Sequence, residues 1–269
     1  MSTAQVAVGQ DVADRRIPMG RVRDTMAVIV RNLLQYLRVP QLLVFSTIQP
    51  IIFVLMFRFV FGGSINTGNI PYVDYLMAGI FVQVVVFGSL ATAIGLATDL
   101  KSGLMERFHA LPMWTPAVLV GRTLADLTRN VFVVILMMLV GFLVGWRIHT
   151  TLWALIPGIL LVLLFGYAMS WIFATVGLAV KDPETAQAAA FPVLAPLVFA
   201  SAAFVVVDNM PGWLQPWARN QPVSITAGAF RALTIGGPTS DLVLKAIVWS
   251  VVIIAIFAPI AVRLYRKAV

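Results

Sequence analysis

The chain has 269 residues, of which 60% are apolar and only 11% are charged, and its mean hydropathy is +0.94. A soluble domain carries roughly 25% charged residues, so this composition excludes a soluble protein and indicates an all-α polytopic membrane protein. The net charge of +8 has a topological explanation and does not point to nucleic acid.

The N-terminal region is first polar and then amphipathic. Residues 1–20 are expected to form a disordered cytoplasmic tail, and they lack the apolar segment and cleavage site of a signal peptide. Residues 21–38 place Val22, Met26 and Ile29 on one face and arginines on the other. This pattern predicts an amphipathic interfacial helix in the headgroup plane. The alternative is a helix that prolongs the first membrane span.

Six apolar segments follow and are predicted to cross the membrane. Their approximate bounds are 39–61, 73–98, 117–146, 151–180, 185–207 and 242–263. Residues 21–269 therefore form one transmembrane domain. Segment 208–240, before the last span, is too long for a structureless loop. Its prolines and tryptophans predict short interfacial or re-entrant helices on the outer side.

The second span carries two features of interest. Gly88, Ala91 and Gly95 form a stripe of small residues, which favours close helix packing. Gln83 is the strongly polar residue in the middle of this span, and we expect it to make a structural hydrogen bond to a neighbouring helix.

The positive residues indicate the orientation. With the N-terminus inside, only five of the 19 lysines and arginines lie on or near the outer side, namely Arg58, Arg147, Arg219, Arg231 and Lys245. This bias predicts that both termini are cytoplasmic. Arg58 lies near the outer end of the first span, where it can reach the interface.

Residues 99–129 form the densest run of charge in the chain. Residues 103–111 are predicted to form a short cytoplasmic helix that Pro112 ends. Phe108 is expected to present a hydrophobic knob, with Glu106 and Arg107 in a polar rim. Such a segment between two spans can transmit a push from a cytoplasmic partner. The alternative is a plain loop whose charges only set the topology.

A second charged group follows at the entrance of the third span. Arg122, Asp126 and Arg129 are spaced i, i+4 and i+7, so they share one helix face and Asp126 can pair with either arginine. The cluster either clamps the structure or takes part in gating and in admitting substrate.

Enzyme motifs are absent from the sequence. There is no phosphate-binding loop that ends in Lys-Ser or Lys-Thr and no hydrolase or zinc-protease motif, so we expect no catalytic residue and no ATP hydrolysis by this chain. With no cysteine and two distant histidines, no metal site is expected. The spans also lack the isolated carboxylate of a proton-coupled transporter. An ion-coupled secondary transporter and a membrane-embedded lipid-modifying enzyme remain the alternatives to a transporter driven from outside.

The segment GLMERFHALPMWTPAVLVGRTLADLTR, residues 103–129, resembles the region between the second and third spans of bacterial ABC-2 type exporter permeases of the daunorubicin/doxorubicin-resistance family. These have a pattern like ERFRxLPM…GR…D. His109 stands where the family commonly has arginine. Residues 210–233 resemble the family's outer segment before the last span. The matching positions are Glu106, Arg107, Phe108, Leu111, Pro112, Met113, Gly121, Arg122 and Asp126.

The resemblance implies a type-2 ABC exporter fold in the bacterial cytoplasmic membrane, exporting a hydrophobic drug or a lipid. It implies a coupling helix at about 99–113. It also implies two copies of a separate P-loop ATPase subunit, which carry ATP and Mg, and a second membrane subunit, identical or homologous. Membrane lipids are further partners, and no substrate-binding residue is assigned. The expected contacts with the ATPase are Gly103, Glu106, Arg107, Phe108, Leu111 and Pro112, and the expected cluster at the span entrance is Gly121, Arg122, Asp126 and Arg129.

Overall fold

The computed structural model describes residues 18–38, 40–62, 67, 70–110 and 116–268, and the regular structure in these residues is entirely helical. This confirms the all-α prediction. The predicted tail lies almost wholly outside the described residues. The helices are α1 (Pro18–Arg38), α2 (Pro40–Met56) with a π-helical continuation (Phe57–Phe61), α3 (Tyr72–Lys101), α4 (Leu104–Ala110), α5 (Ala117–Val144), α6 (Leu152–Val180), α7 (Pro183–Phe199), a short 3-10 turn (Val207–Asn209), α8 (Gln215–Asn220), α9 (Pro222–Ile235) and α10 (Ser240–Ala268).

Four helices, α3, α5, α6 and α10, are long and apolar enough to cross a membrane. Helices α2 and α7 have 17 residues each, roughly 26 Å at the usual helical rise. A span needs about 20 apolar residues, and the π-helical continuation prolongs α2 toward that length. Four of the predicted spans are therefore confirmed by length and composition, while the total of six stays a prediction.

Helices α3 and α6 form the centre of the bundle. Helices α5 and α7 pack on α3, while α9 and α10 pack on α6. Gly177 of α6 lies so close to the backbone of Ala93 in α3 that a Cβ atom at position 177 would overlap it, and Gly166 likewise faces Val85. Small residues at such contacts let two helix backbones approach, which is how apolar helices gain contact in lipid.

Helix α7 ends earlier than the sequence predicts, at Phe199 instead of near residue 207. The backbone after it turns back against α3, and polar side chains satisfy its carbonyl groups. The Tyr75 hydroxyl donates to the carbonyls of Ala202 and Val205, and the Arg231 guanidinium also donates to that of Ala202. Irregular backbone inside an apolar bundle is stable only with such partners.

Helix α1 packs on the first turns of α5. Val28 lies against Gly121, where a Cβ atom would overlap the valine side chain. One turn further along α1, Asn32 meets Arg122, the residue that follows Gly121. An apolar stripe on α1 remains exposed and includes Val22 and Met26. Placement of α1 in the headgroup plane stays a prediction.

Candidate functional site

The charged residues of α5 form a buried cluster. Asp126 is 0% exposed, and Arg122 and Arg129 are 6% and 7% exposed. The Arg122 Nε atom lies 3.4 Å from Asp126 Oδ2, close enough for a charge pair, although it is not aligned for a hydrogen bond. Among the described ion pairs, Asp126 has Arg122 as its partner and not Arg129. Two arginines and one aspartate leave the cluster with an excess positive charge.

Asp126 lies in the first turns of α5, where the sequence places it. It is nine residues after Ala117, the first residue of α5, which corresponds to roughly 14 Å along the helix axis. Buried charges are costly without partners, and the neighbouring helices provide hydrogen-bond partners for this cluster.

The small-residue stripe of α3 holds the two arginine side chains. A Cβ atom at Gly95 would overlap the Arg122 guanidinium, and one at Gly88 would lie 2.8 Å from Arg129 Nη2. Arg122 Nη2 donates to the carbonyl of Ala91 at 2.9 Å, and Arg129 Nη2 donates to that of Gly88 at 2.5 Å. The sequence predicted close helix packing at this stripe. The stripe instead contacts the charged side chains of Arg122 and Arg129.

Three uncharged polar residues complete the cluster, and sequence reasoning missed them. The Tyr36 hydroxyl of α1 donates to Asp126 Oδ1 at 2.5 Å, and the Thr92 hydroxyl of α3 donates to Asp126 Oδ2 at 2.6 Å. Arg122 donates to Asn32 Oδ1 at 3.3 Å. Asn32 and Tyr36 are four residues apart on α1, so they lie on one face. That spacing was the available signal.

Helix α4 carries part of the other charged group, which precedes α5 in the chain. Gly103 has a positive φ of 67°, a conformation that favours glycine, and it turns the chain between α3 and α4. Glu106 and Arg107 are exposed. Phe108 is half-buried, packs on an apolar cluster of the chain and lies 5.5 Å from the Arg31 guanidinium. It is therefore less projecting than the predicted knob, because it shares the inner face of α4 with buried Met105.

Two expected contact residues, Leu111 and Pro112, lie outside the described residues. The described part of this region is anchored to α1. Arg31 pairs with Asp99, near the end of α3, at 2.7 Å. Since Arg31 also contacts Phe108, one side chain of α1 joins the end of α3 to α4.

A second ion pair joins this end of the bundle to the turn between α6 and α7. Lys101 Nζ lies 2.7 Å from Asp182 Oδ1. Asp182 also accepts hydrogen bonds from the backbone N–H and the hydroxyl of Thr185, as the N-cap of α7. The Lys101 hydrogen bond, followed by those from Thr185, lowers the pKa of Asp182 to about 2.

In the described ranges, no group of three or more His, Asp or Glu side chains is arranged to hold an ion. The long apolar helices around a buried charge cluster, with a short charged helix between two of them, define a polytopic α-helical membrane protein.

Comparison with known proteins specifies the family. Residues 23–235 match the family described as ABC-2 type transporter, and this chain belongs to that family. It is 34% identical over 246 residues to the daunorubicin resistance ABC transporter permease protein DrrB1 of Streptomyces coeruleorubidus, covering 91% of this chain and 87% of the relative. It is 29% identical over 242 residues to the probable doxorubicin resistance ABC transporter permease protein DrrC of Mycobacterium tuberculosis, covering 83% and 81%. A putative transport permease of Porphyra purpurea, ycf38, is 25% identical over 218 residues, covering 78% and 73%.

Proposed function

We propose that this chain is the transmembrane subunit of an ATP-driven exporter that moves a hydrophobic drug or a lipid outward across the bacterial cytoplasmic membrane. The observation that carries the proposal is the connection from exposed α4 through Arg31 and α1 to the buried cluster of α5. Relatives named for daunorubicin and doxorubicin resistance support a drug as cargo. The apolar spans favour an apolar cargo, since they offer few polar groups to bind a sugar or an ion.

The proposed complex contains two copies of a P-loop ATPase subunit, a second membrane subunit, identical or homologous, and bound lipid. ATP and Mg belong to the ATPase. The excess of positive residues near α4 supports a cytoplasmic location for this end of the bundle and for both termini. We further propose that α2 and α7 complete six spans, and that α8 and α9 lie at the outer side.

The proposed coupling uses two surfaces of α4. Glu106 and Arg107 are exposed and available to the ATPase, while Phe108 and Met105 fix α4 to the bundle. A displacement of α4 moves Arg31 and therefore α1, whose Tyr36 is bonded to Asp126. This contiguous set of contacts is the physical route by which a push can reach α5.

An ion-coupled mechanism is not favoured by the environment of Asp126. A proton-coupled carrier needs a carboxylate that exchanges protons along a pathway. The Asp126 carboxylate instead pairs with Arg122 and accepts hydrogen bonds from two hydroxyl groups. Both carboxylate oxygens therefore already have partners within the protein.

The proposal is tested by reconstitution with the cognate ATPase in proteoliposomes. We expect ATP-dependent accumulation of doxorubicin, and a several-fold lower export rate for Glu106→Lys, because a reversed charge on the exposed side of α4 disturbs the ATPase contact. The matched control is Glu184→Lys, an exposed glutamate in the first turn of α7, which we expect to leave export unchanged. Equal export by both variants would refute the role of α4, and ATP-independent accumulation would refute the exporter itself.

A further inference from the structure

A cavity of about 120 Å³ lies between α2, α3 and α5, and the proposed function does not use it. Its apolar lining includes Pro50 of α2, Phe87 and Leu90 of α3, and Val133 of α5. Asn130 also lines it and is the 14th of the 28 residues of α5. The cavity therefore lies near the middle of a membrane-spanning helix.

One wall of this cavity is polar and incompletely bonded. Gln83, Arg129 and Asn130 are 2%, 7% and 1% exposed. Gln83 Oε1, Arg129 Nε and Asn130 Nδ2 have no hydrogen-bond partner among the described residues. The structural hydrogen bond expected for Gln83 is therefore missing at its oxygen.

Such groups are expensive in an apolar bundle. A buried polar atom without a partner costs about 1–3 kcal/mol, and three of them on one wall indicate a site that a ligand's polar groups complete. Arg129 Nε and Asn130 Nδ2 are donors, and Gln83 Oε1 is an acceptor. Together they match an oxygen that accepts, such as a carbonyl, beside a hydroxyl that donates. The excess positive charge of the nearby cluster disfavours a cationic group here.

The size of the cavity limits what enters it. A protein cavity of about 150 Å³ holds one benzene ring, so this smaller cavity of about 120 Å³ admits only the oxygen-bearing end of a larger molecule, and the rest of that molecule extends beyond it. Aromatic side chains lead from the cavity along α3. Phe87 contacts Phe199 of α7 with ring centroids 6.5 Å apart. Phe199 stacks on Phe204, 5.9 Å away, and Phe204 stacks on Phe57, 4.8 Å away. Phe204 lies beside the first residue of α3, Tyr72, whose hydroxyl donates a hydrogen bond to the carbonyl of Phe204.

We infer that this cavity is the binding site for the oxygen-bearing end of an apolar cargo. Gln83, Arg129 and Asn130 bind its hydroxyl and carbonyl groups, and the ring of Phe87, which lines the cavity, contacts its apolar part. This inference rests on the proposed export function and specifies where the polar groups of the cargo bind.

The test compares 2-hydroxyanthraquinone with anthraquinone, which has the same rings and carbonyls but no hydroxyl. Binding to the purified full chain in lipid nanodiscs is measured by saturable quenching of tryptophan fluorescence, in mildly acidic buffer that keeps the hydroxyl protonated. We expect wild type to prefer the hydroxylated probe by about 3- to 10-fold, the usual effect of one hydrogen bond. Gln83→Leu should abolish this preference and leave the affinity for anthraquinone unchanged, because Gln83 Oε1 has no partner within the described protein and is the acceptor for the probe's hydroxyl.

Gln83→Met is the second variant, and it should behave like Gln83→Leu. Thr128→Val is the control, since Thr128 is exposed on the other side of α5 and bonds only to its own helix; it should retain the preference. A preference that persists in both Gln83 variants, or that is missing in wild type, overturns the inference.

Measuring ATP-dependent export as well as binding distinguishes a failure of this inference from a failure of the proposed function. ATP-dependent export by wild type without a hydroxyl preference in binding overturns the cavity assignment and leaves the exporter intact. A Gln83-dependent binding preference without any ATP-dependent export supports the cavity and overturns the exporter.

Discussion

Asp126→Asn tests whether the buried cluster stabilises the fold. The carboxylate is 0% exposed and pairs with Arg122 at 3.4 Å. Removing one partner of a buried pair costs about 3–5 kcal/mol, because the other charge stays buried without compensation. Asparagine still accepts a hydrogen bond from the hydroxyl of Tyr36 or Thr92, so we expect a loss of about 3 kcal/mol in the free energy of unfolding.

The assay is equilibrium unfolding by SDS in mixed micelles. Asp241→Asn is the matched control, since Asp241 and Lys245 are also an i, i+4 pair, at 2.7 Å, but both side chains are more than half exposed. An exposed pair contributes about 0.5 kcal/mol. The double variant Asp126→Asn/Arg122→Met should lose less stability than the two single changes summed, because both charges leave together. If Asp126→Asn is no less stable than Asp241→Asn, the cluster is not a clamp.

Two further predictions concern the same bundle. Lys101→Met should raise the pKa of Asp182 from about 2 toward its ordinary value of 3.8, since the Lys101 hydrogen bond is the main cause of the depression. The Lys101–Asp182 ion pair should therefore be intact at neutral pH and weaken in wild type only as the pH falls from about 4 through about 2. NMR titration of the Asp182 carboxyl carbon measures this pKa. An unchanged pKa in the variant would contradict the prediction. Gly177→Ala should destabilise the chain by about 1–3 kcal/mol, because its Cβ atom would overlap the backbone of Ala93. Gly228→Ala, where the nearest atom is 3.7 Å away, should be close to neutral, and equal stability of the two in SDS titration would refute the close contact.

The sequence predicted which charged residues of α5 share a face, but it did not predict which other helices contact that face. Helical spacing alone placed Arg122, Asp126 and Arg129 on one face, and the structure buries all three. The spacing of residues along one helix cannot specify which other helix faces them. Tyr36 lies 90 residues from Asp126 in the chain and bonds to it, so only long-range packing reveals that contact.

Composition determined that this chain belongs in a membrane, because so few charges and so much apolar sequence have no other stable environment. Local patterns determined the four long helices and a short helical segment near residues 103–111. The tertiary structure decided how the polar groups are satisfied. It placed arginines against the glycines of α3, ended α7 at Phe199 where side chains could bond its carbonyls, and turned Phe108 inward. The physical reason is that a buried charge or carbonyl is stable only beside a partner. These partners come from helices distant in sequence.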